Sequence, residues 1–264
     1  MCSAGLAVRS CGSSPPLGKT SCRAARDLRH SERLLPRGEG LAPRKALNTM
    51  GLFYLVRHGE TKWNAENRIC GRSDVPLSEA GRRQAKSLAE RLKPIPFDAL
   101  YSSPLMRALD TARFISERIG LEPVLDDRLV ELDYGQWEGK TVEEIMKNDS
   151  KTFRAWRADP GEVAPPGGES GLEAQQRVVP FLDSLAAKHP KGQVAVVFHK
   201  SVCRLAICHV LGMSPSDYRR RLIMENAALS IIQSRVEGWQ LITYNDTSHL
   251  SACHRGHISL GEEF

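Results

Sequence analysis

The stretch "YLVRHGETKWN", residues 54–64, decides how the chain is read. It continues the apolar run Leu52-Phe53-Tyr54-Leu55-Val56, places Arg57 and His58 side by side, and breaks at Gly59. A strand-length apolar run of this kind is buried. Ending it on a cation and an imidazole is costly unless those groups have work to do.

The same grammar recurs downstream. "QVAVVFH" (193–199) is a continuous apolar run that ends in His199 and leads into a helix through Leu205, Ala206 and Val210. "FDALYSS" (97–103) is a short strand. It is followed by "SPLMRALDTARFISERIG" (103–120), a predicted helix with Ser103 as N-cap, Pro104 in the first turn and Gly120 as its stop. "PLSEAGRRQAKSLAERLK" (76–93) has Ser78 as N-cap and an apolar stripe of Ala85, Leu88, Ala89 and Leu92, the face of an amphipathic helix. Residues 228–234 and 239–245 form a predicted hairpin about a Glu237-Gly238 turn. Alternation of this kind predicts an α/β three-layer sandwich, a mostly parallel central sheet with helices on both faces.

Ligands of open α/β sheets bind beyond the carboxyl ends of the strands. Arg57-His58, Arg107 on the first turn of the 103–120 helix, and His199 are therefore expected at one edge. Two guanidinium forks, two imidazoles and a helix N-terminus suit a phosphate dianion. Taken singly, each has a structural reading: a strand-end histidine is more often packing than chemistry, and Arg107 or Glu131 alone is one charge among many.

Charge separates two regions. Nine of the 37 Lys and Arg and three of the 31 Asp and Glu lie in residues 1–49, so this segment carries the whole excess of six, and the remainder balances at 28 of each. A neutral remainder does not call for a nucleic-acid partner. The longest apolar runs fall far short of the ~20 residues of a membrane span. Residues 1–49 are rich in Ser, Arg, Gly and Pro. They are expected to be a disordered extension, either a targeting segment or sequence upstream of a start at Met50. The domain is expected over 50–250, with 251–264 as a tail. Seven cysteines without a CxxC predict a reduced, cytoplasmic protein.

The segments "LVRHGETKWN", "GRSDVPLSEAGRRQA", "YSSPLMRALDTA", "ELDYGQWEG", "PPGGES" and "YNDTSHL" together resemble the histidine phosphatase superfamily, also called phosphoglycerate mutase-like, from about Phe53 to Leu250. The resemblance implies that His58 is the nucleophile that forms a phosphohistidine. It implies that Arg57, Arg107 and His199 make the phosphate pocket, and that Glu131 is the proton donor to the leaving alkoxide. It further implies substrate contacts at Asn64, at the Cys70-Gly71 loop and at Lys200. In one respect the chain departs from the family pattern: His-Gly-Gly is replaced by His199-Lys200-Ser201. This bears on the pocket's shape and more on the substrate.

The resemblance implies no cofactor and no metal, since the Arg/His cluster supplies the positive charge. A metal reading of His58, His199 and Glu131 lacks a ligand spacing, and the polar Cys253-His254…His257 segment reads as tail. Trp137 and Trp156 either line the entrance or pack; Trp63 packs. Only 33 residues separate Glu131 from Pro165, a short lid expected around 151–164. A short lid shelters a phosphohistidine poorly, which favours a phosphatase of small phosphomonoesters (sugar phosphates, phosphoserine, phosphoglycerate or ribazole phosphate) over a cofactor-dependent mutase. A non-catalytic binding module on the same fold is the further alternative. The expected partner is a small phosphorylated substrate, with neither nucleic acid nor membrane, in a monomer or homodimer.

Overall fold

The run that opens at Leu52 is strand β1, Leu52–Arg57, and it lies inside the sheet, not at its edge. The computed structural model describes residues 50–251; the segments 1–49 and 252–264, with the expectations placed on them, lie outside the described residues.

After β1 the chain makes a one-turn helix α1, Lys62–Ala65, and then α2, Glu79–Leu92. Ser78 caps α2 as expected, its side chain accepting from the Gly81 N–H at 3.0 Å. Strand β2 is Ala99–Ser102, helix α3 is Met106–Ile119, and β3, Pro123–Leu125, is a short edge strand. Helices α4 (Val142–Ala158) and α5 (Gly171–Lys188) precede β4, Gln193–Phe198, which leads directly into α6, Lys200–Leu211. A short α7, Tyr218–Arg221, precedes the hairpin β5 (Leu229–Arg235) and β6 (Gly238–Asp246).

The strand order is β3-β2-β4-β1-β5-β6. β2 pairs in parallel with β3 and β4, and β4 in parallel with β1; β5 and β6 add antiparallel. Among the described residues the sheet is thus mixed, with a parallel half that holds the strand ends of interest.

Alternation along β1 and β4 feeds two cores. Phe53, Leu55, Val194, Val196 and Phe198 pack with buried residues of α4, α5 and α6. Tyr54, Val56, Ala195 and Val197 pack with Leu88 and Leu92 of α2 and Ala108, Ala112 and Ile115 of α3. A strand buried on both faces reads as continuous apolar sequence, which is what both runs show.

Three expectations need correction. Helix α3 starts at Met106 with Leu105 in the N-cap position and no side-chain cap. The Ser103 hydroxyl accepts from the Leu105 N–H at 3.3 Å, one residue before the helix, and lies 2.8 Å from His199 Nε2. The hairpin turn is Val236-Glu237, and Gly238, at φ +131°, already pairs with Arg235. The 151–164 segment is not a free-standing lid: residues 151–158 finish α4, and Phe153 and Trp156 are buried in the core. α4 is interrupted at Asp149 (φ −148°, ψ 48°), whose carboxylate accepts from Trp137 Nε1 at 3.3 Å. Trp137, Phe153, Trp156 and Tyr134 form an aromatic cluster with contacting centroids 5.3–5.9 Å apart, three pairs edge-on and Phe153–Trp156 tilted. Trp137 and Trp156 therefore pack; they do not line an entrance. Each such pair adds about 0.5–1.5 kcal/mol beyond its burial.

Candidate active site

The carboxyl ends of β1 and β4 are adjacent: Arg57 pairs with Phe198, and the His58 N–H donates to the Phe198 carbonyl at 3.0 Å. This register sets His58 and His199 side by side, with ring centroids 5.2 Å apart. Both are buried.

The His58 ring has one defined tautomer. Nδ1 lies 2.6 Å from the Gly59 carbonyl, which can only accept, so Nδ1 carries the proton and Nε2 presents a lone pair. Arg107 Nε donates to that lone pair at 3.3 Å. Burial, then the charges of Arg107 and Arg57, hold the His58 ring well below the ordinary histidine value. The ring is thus kept neutral, as a nitrogen nucleophile must be. His199 is pushed the same way by burial, and by Arg107 after it. Its Nε2 meets the Ser103 hydroxyl at 2.8 Å, and its Nδ1 is buried with no hydrogen-bond partner.

Both arginines donate to backbone carbonyls. Arg57 Nη1 donates to the Met224 carbonyl. Arg107 Nη1 donates to Ser73 at 2.8 Å and Nη2 to Gly71 at 2.6 Å. For Arg107 these neutral acceptors orient the guanidinium without cancelling its charge, and that charge stays available to an anion. Thr111 joins the two sides: its hydroxyl donates to the Arg107 carbonyl at 2.8 Å and accepts from the Gly59 N–H at 3.2 Å.

The loop that grips Arg107 is itself held by Glu138. One carboxylate accepts from the N–H of Arg72 (2.7 Å), the N–H and hydroxyl of Ser73 (2.8 and 2.5 Å) and the N–H of Tyr134 (3.3 Å). Gly71 takes φ +52°, and a Cβ there would sit 2.0 Å from Glu138 Oε1. Only glycine suits the position, for backbone and for space.

The predicted residues divide accordingly. Arg57, His58, Arg107 and His199 form one buried cluster. Glu131, also buried, has Oε1 on the Leu132 N–H at 2.8 Å and Oε2 on the Ser201 N–H at 3.2 Å. The Asn64 amide closes a capping box with Thr61 at the start of α1 and donates to Cys70 Sγ at 3.6 Å. Gly71 meets Arg107 through its carbonyl. Lys200 is the half-buried first residue of α6. Cys70, Cys203 and Cys208 are free and buried. Burial pushes the Cys70 thiol up, against the pull of Arg107.

Reading the sequence did not anticipate Ser103, Thr111 or Glu138. Each lies inside a quoted motif, "YSSPLMRALDTA" or "ELDYGQWEG", but their roles are contacts that only the fold creates. Among the described residues no three His, Cys, Asp or Glu side chains gather as a metal site requires, and no helix is long and apolar enough to cross a membrane.

Residues 53–247 match the family described as "Histidine phosphatase superfamily (branch 1)". Phosphoserine phosphatase 1 of Hydrogenobacter thermophilus is 38% identical over 196 residues, covering 74% of this chain and 92% of that protein. A probable phosphoglycerate mutase GpmB of Cronobacter sakazakii is 35% identical over 208 residues, 75% of this chain and 94% of that one. In structure, Bacillus stearothermophilus YhfR superposes with a TM-score of 0.72 at 33% identity, covering 75% of this chain and 98% of that chain. The chain therefore belongs to the histidine phosphatase superfamily, branch 1, and is a phosphoric monoester hydrolase.

Proposed function

We propose that the protein hydrolyses small phosphomonoesters through a phosphohistidine on His58, with residues 50–250 as the catalytic unit, working in the cytoplasm. The observation that carries this is the His58 ring: its Nδ1–H is fixed on Gly59, and its Nε2 lone pair lies 3.3 Å from Arg107 Nε inside a buried cationic pocket.

In the first half-reaction the Nε2 lone pair attacks phosphorus. The bond from phosphorus to the leaving oxygen breaks, and Glu131 gives that oxygen its proton. A phosphoryl oxygen takes over the Arg107 Nε–H that now rests on His58. Arg57, Arg107 and His199 spread the charge of the transferring group, the role of preorganised donors in transition-state stabilisation. In the second half-reaction water attacks phosphorus, Glu131 takes a proton from it, the N–P bond breaks, and inorganic phosphate leaves with His58 restored.

A small phosphorylated carboxylic acid or sugar phosphate fits this reading. The phosphoserine phosphatase relative supports hydrolysis. The relative named as a probable mutase sets the contrary outcome to test. Purified protein is given a panel of phosphomonoesters, including phosphoserine and 3-phosphoglycerate, with EDTA present. Phosphate release should outrun any formation of 2-phosphoglycerate, and EDTA should leave the rate unchanged. Isomerisation faster than release at ordinary substrate concentration would sink the phosphatase reading.

A further inference from the structure

Glu131 differs from Arg57, His58 and His199 in not sitting at a strand end. It lies between β3 and α4, in a segment whose regular structure is limited to two short 3-10 turns. Its aim therefore depends on what holds its carboxylate. Oε1 is fixed within the segment by the Leu132 N–H. Oε2 is fixed from outside, by the N–H of Ser201, the second residue of α6. That N–H is one of the four a helix leaves without an internal acceptor.

The direction of the Ser201 N–H follows the first turn of α6. The Ser201 side chain ties that turn down, its Oγ lying 3.0 Å from the Tyr134 hydroxyl. Tyr134 stands three residues after Glu131 in the same segment, its ring edge-on to Trp156 at 5.9 Å. The contacts close a ring: Glu131 carboxylate, Ser201 backbone, Ser201 hydroxyl, Tyr134, and back along the chain to Glu131. Tyr134 is 5% and Ser201 3% exposed. The Tyr134 ring packs on Trp156, whereas the hydroxyl pair itself adds a polar contact inside the fold. Replacing both partners of a buried hydrogen bond by apolar groups of similar shape is close to neutral for stability.

We infer that Tyr134 and Ser201 are a positioning pair that sets the aim of Glu131, by locking the first turn of α6 to the segment that carries it. Ser201 stands in the His199-Lys200-Ser201 stretch where the chain departs from His-Gly-Gly, and a glycine there would have no hydroxyl to offer. The inference rests on Glu131 being the proton donor.

The test uses the full chain with Tyr134→Phe, Ser201→Ala and the double variant. kcat/KM, which reports phosphoryl transfer to His58 and not the later water step shared by all esters, is measured on an alkyl phosphomonoester such as phosphoserine and on p-nitrophenyl phosphate, whose leaving group needs no proton. Each single variant should lose about 3- to 10-fold on the alkyl ester, the effect of one hydrogen bond. The double variant should lose no more than the worse single, because both remove the same bond. On the aryl ester all three should stay within about twofold of the parent, a smaller change than the loss of one hydrogen bond brings. Equal losses on both esters, or no loss on either, overturn the positioning role. Glu131→Gln is the control. If it fails to separate the two esters, the proton-donor reading falls and this inference with it. If it separates them while Tyr134→Phe does not, only the pairing is overturned.

Discussion

The two ends of the site are built differently. At the phosphate end His58 and His199 follow directly on adjacent parallel strands, and their spacing is set by the β1–β4 register. At the leaving-group end Glu131 rides on an irregular segment, and its place is set by hydrogen bonds from Leu132, Ser201 and Arg177, the last of which donates to the Glu131 carbonyl at 3.1 Å. The first end is rigid because the sheet is rigid. The second is as exact as its hydrogen bonds, and it can be retuned without touching the sheet. Within one family, phosphate chemistry that stays constant and leaving groups that vary would map onto this division.

The division makes two kinds of variant behave differently. His58→Ala should remove turnover of every ester, by on the order of 10⁴ or more, and no phosphoenzyme should be trapped in samples quenched with alkaline detergent, where the parent gives one. Because the P–N bond of phosphohistidine is lost in acid, the quench must be alkaline; a labelled phosphoenzyme in that variant would move the nucleophile elsewhere. Glu131→Gln should cost about 10²–10⁴ in kcat/KM on alkyl esters and much less in kcat/KM on p-nitrophenyl phosphate, because the water step that Glu131 also serves lies after the step kcat/KM reports. A uniform loss would erase the distinction between the ends.

Glu138 sharpens the comparison, because it lies in the irregular segment yet acts on the phosphate end. It holds the Gly71–Ser73 loop whose carbonyls grip Arg107. Glu138→Gln presents an amide N–H₂ where a carboxylate oxygen accepts, and it should lower kcat by about 10- to 100-fold, the range for hydrogen bonds to a charged group. The loss should be equal for alkyl and aryl esters, with weaker inhibition by inorganic phosphate. A loss confined to alkyl esters would place Glu138 with Glu131 instead.

The smallest effect is on stability. His58 and His199 are held neutral by burial and the neighbouring arginines. Their folded values lie below the unfolded one, so between the two the unfolded chain binds more protons and stability rises with pH. The contribution is complete above about pH 6.5. Below it, each ring costs about 1.4 kcal/mol per pH unit until its folded value is reached. Urea unfolding at pH 7.5 and 5.5 should show this, and His199→Asn should flatten the slope. An unchanged slope would mean that His199 is not buried neutral.

Most of the phosphate end was legible in the sequence, and most of the other end was not. The strands β1 and β4 announce themselves as unbroken apolar runs, because both faces are covered. α2 does so by its stripe and Ser78. The histidines and arginines stand where those elements end. Ser103 misled as a helix cap because its hydroxyl serves His199, a contact across 96 residues. α5 went unread although Ser170 and Glu173 form a capping box; Pro180 inside it and Gly167-Gly168 before it interrupt the local helix signal. α4 went unread as a packed element because its two buried aromatics, Phe153 and Trp156, lie beyond the break at Asp149. What Glu138, Tyr134 and Ser201 do depends on chain segments that meet only in the folded molecule, and no local period records that.

The strand order has a consequence for biosynthesis. β1 pairs only with β4 and β5, and Gln193, where β4 begins, is made 141 residues after Leu52. At about 5–20 residues per second, the apolar strand leaves the ribosome roughly 7 to 30 s before either neighbour exists. The nascent chain therefore carries an unpaired Leu-Phe-Tyr-Leu-Val segment through most of its synthesis, a natural target for holding chaperones. His58 cannot become a nucleophile until β4 has emerged, so catalysis switches on late. Ribosome-bound chains stalled before Gln193 should be cut readily by protease near β1, while chains released after Asp246 should resist. Resistance in the stalled chains would mean that β1 finds shelter before its partners are made.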